Sequence, residues 1–289
     1  MQFIITMESN AETPLAWVKQ WHIPFMRMPY ILDGQTYEYD LGEHIDILAF
    51  YEELRQGKVP TTVLRNTEEY RDFFLPILEQ GNDILHIAFS SAMSGSFQCA
   101  TLAVQELREQ FPQRKLVMVD TLAISMATGM LVGYAARMRD QGASLQEVAG
   151  WLEENKLRVN AYTTVNDLFH LKRGGRLTGV AALMGTVLDI KPVLRINAAG
   201  QLIPDCKLTG RKKSIRYLAD QVLERGEDLT SQEIFIMHGD CLADAQYLEK
   251  QLRERCAPQA ITTQLVGPVI GTHAGPGVLA VIFMGQKRS

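Results

Sequence analysis

The sequence has no C-x-x-C pair: its four cysteines, Cys99, Cys206, Cys241 and Cys256, stand far apart. That spacing excludes a dithiol redox motif or a thiol metal knuckle and suits reduced, structural thiols in a cytoplasmic protein. Charge of one sign is also scarce. A formal net charge of −4 supplies no broad basic face, so no nucleic-acid partner is expected. No apolar run is long enough for a bilayer, and the opening "MQFIIT" lacks the basic region and long apolar stretch of a secretory signal. A G-x-S-x-G nucleophile elbow, a P-loop and a dinucleotide fingerprint are missing. No His/Cys/carboxylate cluster has metal-ligand spacing, so neither a metal nor a cofactor is expected.

What is present is an ordinary globular composition, 46% hydrophobic and 21% charged over 289 residues, long for one core and suited to two α/β domains. Strands and helices alternate in a way that predicts parallel sheets. Strands are expected at 3–6, 84–89 and 115–120, and helices at 11–21, 43–56, 67–80, from about 95, at 124–141 and over "SLQEVAGWLEENK". A hairpin turns at Asp33-Gly34. The second half reads as a strand "VNAYTTV", a basic loop, a short apolar helix "VAALMGTVL", and a hairpin turning at Ala199-Gly200. A helix from Arg211 to Arg225, strand "EIFIMHG", a helix near 242–256 and strands "AITTQLV" and "GVLAVIFMG" complete it. The domain boundary is placed near residue 158, giving units 1–158 and 159–289 with the site in the cleft between them.

Four segments could carry chemistry. "SSAMSGSFQ" (90–98) follows the apolar run "ILHIAF". A turn of small residues between strand and helix leaves N–H groups free at the helix start, and its hydroxyls can either cap the helix or hold an anion. Thr61 and Thr62 lie between two helices, where adjacent threonines ordinarily cap the next element. "LKRGGRLTG" (171–179) sets Lys172, Arg173 and Arg176 around two glycines. Guanidiniums suit carboxylate or phosphate, while a solvated basic loop would look the same. "GPVIGTHAGPG" (267–277) holds His273 in what reads as a tight turn, where a lone histidine is commonly a structural hydrogen bonder.

In order, "SSAMSGSFQCA", "FHLKRGGRLTG", "KPVLRI" and "GTHAGPGVLAVIFMG" resemble the DegV family of bacterial fatty-acid-binding proteins. The resemblance runs nearly end to end. "IITMESNAETP" is similar to the family's opening strand and acidic-serine turn, with Glu8, Ser9 and Glu12 in the acidic and serine places. "MVDTLAISMATGMLV" is similar to its Asp-Ser…Ser-x-x-x-Gly segment. The resemblance implies a monomeric two-domain α/β carrier: a mainly parallel N-terminal sheet flanked by helices, an α/β C-terminal domain, and one fatty acid at their junction. Thr62, Ser94 and His273 would contact the carboxylate, Gly95 and Ser96 would flank it, and Arg211, Arg173 or His273 would offset its charge. A separate fatty acid kinase would convert the presented carboxylate to an acyl phosphate. Lys172 and Arg176, pointing outward, would dock that kinase, and transient contact with a membrane surface would fit lipid delivery. The chain departs from the family pattern after Thr62, where Val63-Leu64-Arg65-Asn66 stands in place of Ser-Gln-Pro. The opening Asp-Ser is Glu8-Ser9, and the usual Thr-Tyr after Ser-Gly is Ser96-Phe97.

Carrier chemistry needs no general base or nucleophile: hydroxyl donors orient the head group and the buried tail supplies affinity, about 0.8 kcal/mol per CH₂. Two other classes share these residues. A hydrolase using Ser94 and His273 needs a buried acid behind the histidine. A binder of phosphorylated metabolites would use the serine turn and basic loop without an apolar tunnel.

Overall fold

A computed structural model describes residues 3–166, 168–177 and 190–289. The first sheet is parallel, built from β1 (Ile4–Glu8), β2 (Phe25–Met26), β6 (Ile84–Ala88) and β7 (Leu116–Asp120) in the order β2-β1-β6-β7. Every residue of β6 is buried, as an unbroken apolar run requires of a parallel strand covered on both faces. Helices α1 (Leu15–Gln20), α2 (Ile47–Arg55), α3 (Thr67–Glu79), α4 (Ser96–Gln110), α5 (Met126–Asp140) and α6 (Leu145–Asn155) accompany it. Reciprocal capping boxes, Asn66 with Glu69 and Ser144 with Glu147, start α3 and α6.

A small antiparallel sheet, order β4-β3-β5, stands beside this layer. Its hairpin joins β3 (Met28–Leu32) to β4 (Gln35–Tyr39) through Asp33 and Gly34, both at positive φ as a type I′ turn demands. Its third strand is β5 (Thr61–Thr62), with Thr62 opposite Tyr30. The two threonines are therefore strand residues and do not cap the next helix. Asn66 already supplies that cap, and β-branched side chains suit an extended backbone.

The second domain holds a six-stranded sheet of order β10-β9-β8-β13-β11-β12. Its strands are β8 (Val159–Thr164), β9 (Ile190–Ile196), β10 (Leu202–Thr209), β11 (Glu233–His238), β12 (Ala260–Leu265) and β13 (Leu279–Met284). The expected hairpin at Ala199-Gly200 is the antiparallel pair β9–β10, and among the described residues of this sheet only β11 and β12 pair in parallel. The last strand inserts antiparallel between β8 and β11. Tyr162, Val281 and Phe283 join the core with residues of α8 (Arg211–Arg225) and α9 (Leu242–Cys256). Their neighbours Ala161, Thr163, Ala280 and Ile282 face the opposite way and line a cavity toward the first domain.

Two glycine-rich segments differ from expectation. Half of the basic loop is helical, α7 (Phe169–Gly174), ending at Gly175 in the left-handed region. The histidine turn is α10 (Pro268–Ala274), with Pro268 in its first turn and Gly275 at φ 76° after its end. The expected helix "VAALMGTVL" lies outside the described residues. Contacts across the junction include Ser90 Oγ donating to Gly200 O at 2.8 Å, Tyr51 Oη to Val266 O at 2.9 Å, and Arg288 Nη1 to Leu122 O at 2.8 Å. Among the described residues no helix is long and apolar enough to cross a membrane.

Candidate functional site

A cavity of about 200 Å³ lies between the sheets, with Met28, Phe89, Ile124, Ile196, Met237 and Val269 in its mainly apolar wall. Thr62, Ser94, Arg176 and His273 also line it. They come from β5, the serine turn, the chain after α7, and α10, so both domains are needed to assemble them.

Thr62 Oγ1 and His273 Nε2 are 2.8 Å apart. His273 Nδ1 has no hydrogen-bond partner among the described residues and sits against Gly174, where an added Cβ would come within 2.1 Å of it. Burial first, and then the Arg176 and Arg173 guanidiniums, push the imidazole pKa down to about 4. His273 is therefore neutral at pH 7 and supplies no charge offset, contrary to the expectation from sequence. With the proton on Nε2 it donates to Thr62 Oγ1 and leaves the threonine hydroxyl free to donate to a carboxylate.

The serine turn is more self-contained than a helix cap. Gly95, at the N-cap of α4, makes no side-chain cap. Ser94 Oγ accepts from Ser96 N at 3.2 Å and donates to Ser96 Oγ at 3.0 Å, a local serine turn that holds Ser94 in the cavity wall. Glu8 supports the same turn from below by accepting the Phe89 N–H at 3.0 Å. Burial alone would raise the Glu8 pKa. His86, the Phe89 N–H and Tyr70 override it and hold the carboxyl below its usual range.

The four basic candidates separate. Arg176, expected to point outward with Lys172, is exposed and also borders the cavity: its Nε donates to Met93 O at 3.0 Å and its Nη1 to Gly174 O at 2.6 Å. Lys172 is exposed. Arg173 lies behind His273, with Nη2 at 3.5 Å from Thr272 O and its guanidinium over the Phe169 ring. Arg211 is tied to Asp244 at 2.8 Å and to Gly277 O at 2.7 Å. Neither Arg173 nor Arg211 is among the residues lining the cavity.

Three further polar residues in the wall, Asn10, Ser125 and Thr163, were not singled out from sequence. Ser125 lies within the Ser-x-x-x-Gly segment and precedes α5 at φ 52°, ψ −143°, a strained backbone for a residue with a Cβ. Its hydroxyl donates to Glu12 Oε2, and Gly267 N donates to Glu12 Oε1. Burial drives the Glu12 pKa up to about 8 against those two hydrogen bonds. Gly129 lets α5 approach closely, since a Cβ there would lie 2.6 Å from Ala11 O.

These features define a two-domain α/β architecture enclosing an apolar cavity whose polar mouth is shared by both domains. The chain belongs to the DegV family: the sequence profile of that family, described as one of uncharacterised proteins, matches residues 2–286. A DegV domain-containing protein of Clostridium perfringens is 39% identical over 99% of both chains. Among solved structures, a DegV lipid-binding protein from Thermotoga maritima is 27% identical, with a TM-score of 0.86 and complete coverage of both chains. A fatty-acid-binding DegV family protein from Thermus thermophilus is 26% identical, with a TM-score of 0.87, covering 99% of this chain and 100% of its own. DegV of Bacillus subtilis, a fatty acid binding protein, is 26% identical with a TM-score of 0.86, over 99% of this chain and all of its own.

Proposed function

We propose that this protein is a non-enzymatic carrier of one long-chain fatty acid, whose carboxylate lies at the mouth formed by Thr62, Ser94, His273 and Arg176. The apolar cavity opening onto two hydroxyls and a guanidinium carries this reading, and the lipid and fatty acid binding of its structural relatives supports it. Thr62 donates to the carboxylate, and Ser94 donates to it once its hydroxyl turns away from Ser96 Oγ, while Arg176 balances its charge and neutral His273 orients Thr62. The loaded carrier, a cytoplasmic monomer dividing near residue 158, presents the carboxylate to a fatty acid kinase that forms the acyl phosphate, with Lys172 on the docking face.

The hydrolase reading is weakened because His273 Nδ1 faces Gly174 and, among the described residues, no carboxylate orients it. A phosphate site does not call for the apolar wall. Native mass spectrometry of protein purified from bacteria tests the carrier: about one fatty acid per chain is expected, released by organic extraction. Consistently empty protein that also ignores added fatty acid would overturn it.

A further inference from the structure

Behind the mouth, a file of buried groups links the serine turn to the Glu8 carboxylate. Ser94 Oγ, in the cavity wall, donates to Ser96 Oγ at 3.0 Å. The Ser96 hydroxyl in turn hydrogen-bonds Tyr70 on α3, and Tyr70 Oη donates to Glu8 Oε1 at 2.9 Å. The other Glu8 oxygen takes the Phe89 N–H at 3.0 Å. Glu8, Tyr70 and Ser96 are each no more than 1% exposed.

Counting protons fixes the direction of this file. Glu8, with its pKa held below the usual range, is ionised at neutral pH. It has no proton to give, so Tyr70 gives its own to Glu8. The Tyr70 oxygen can then only accept, and Ser96 donates to it. Ser96 Oγ accepts from Ser94 in consequence. The file therefore points toward the buried anion, and the Ser94 proton points away from the cavity. A bound carboxylate also can only accept, so it competes with Glu8 for that proton. Because each hydrogen bond polarises the next, such a file holds or reverses as a unit.

Resting on the carrier reading above, we propose that Glu8 is a positioning residue that acts through Tyr70 and Ser96 to turn the Ser94 hydroxyl away from the ligand, so that the protein holds a carboxylate less tightly than its donors allow. Such restraint suits a carrier, which must give up its cargo. Glu8→Gln and Tyr70→Phe interrupt the file at different places. In Glu8→Gln the amide oxygen must meet the Phe89 N–H, which leaves the amide nitrogen to donate to Tyr70. Each proton then shifts one place outward, and Ser94 donates into the cavity. In Tyr70→Phe, Ser96 loses its acceptor and donates to Ser94, with the same result at the mouth. Displacement of a fluorescent fatty acid from delipidated protein measures affinity for palmitate and for hexadecanol, whose hydroxyl can give or take a proton. The palmitate-to-hexadecanol affinity ratio should rise about fivefold in both variants, the worth of roughly one hydrogen bond. Neither change should move the ratio in a Ser94→Ala background. A role in packing alone would weaken both ligands together, so a ratio unchanged or lowered in either folded variant overturns the proposal and leaves the carrier reading intact. A rise that persists without the Ser94 hydroxyl overturns it too, and wild-type protein that binds neither ligand overturns both. Should Glu8→Gln fail to fold, Tyr70→Phe, which keeps Glu8 and its bond to Phe89, decides alone.

Discussion

At the scale of single residues, the mouth is a set of neutral donors around one cation. Thr62→Val and Ser94→Ala should each weaken fatty acid binding by about 1–3 kcal/mol, the cost of a lost charge-assisted hydrogen bond. Combined, they should be non-additive because both hydroxyls meet one carboxylate. Isothermal titration with delipidated protein measures this, and unchanged affinity in both single variants would refute the assignment. Gly174 offers a sharper probe. A Cβ there would come within 2.1 Å of His273 Nδ1, so Gly174→Ala should displace the imidazole, break its bond to Thr62 and lower both affinity and melting temperature. Gly150, inside α6 with nothing within 4 Å of an added Cβ, is the control. Gly150→Ala should stabilise by about 0.5–1 kcal/mol through helix propensity alone.

At the scale of elements, local pattern and long-range pairing parted company. The buried run of β6, the Asp33-Gly34 hairpin and the elements starting at Asn66 and Ser144 were legible because each signal lies within a few adjacent residues. The antiparallel insertion of β13 was not, since strand direction is decided by partners far away in the chain. Short helices rich in glycine, such as α7 and α10, read as turns by propensity and are fixed by packing instead. Thr62, Ser94 and His273 were legible through family resemblance. The place of Arg176 at the cavity depends on how α7 ends, and Asn10 carries no signal because a polar residue in a turn is what any turn provides. Lys172, exposed on α7, tests the docking face. Lys172→Glu should leave fatty acid affinity within about twofold, as exposed charges contribute little to a site they do not touch. If a fatty acid kinase is the partner proposed above, phosphoryl transfer to the carboxylate of the loaded protein should slow and lose salt dependence. Collapse of affinity with normal transfer would place Lys172 in the pocket.

For the whole molecule, two buried groups at the domain junction set opposing dependences on pH. Glu12 keeps its proton in the native state up to about pH 8, whereas the unfolded chain releases it near 4.5. Its contribution to stability is fully present below pH 4.5 and is lost as pH rises toward 8. His273 titrates near 4 when folded and near 6.5 when unfolded, so its contribution is present above 6.5 and lost as pH falls toward 4. Between 4.5 and 6.5 the two slopes oppose each other, and from 6.5 to 8 Glu12 acts alone. Relative to Glu12→Gln, the wild type should therefore lose stability across that upper interval, by up to about 1.4 kcal/mol per pH unit. Urea unfolding at several pH values measures the difference, and parallel curves would show that Glu12 does not hold its proton. The Thr62–His273 contact has a consequence in time. The two residues are 211 positions apart, so a ribosome adding about 5–20 residues per second makes His273 some 10–40 s after Thr62. The serine turn is finished early in that interval, and β13, which closes the middle of the second sheet, is made after His273. A nascent chain therefore displays half a mouth and an open apolar wall for most of its synthesis. On the carrier reading, lipid can enter only once translation has passed the final strand.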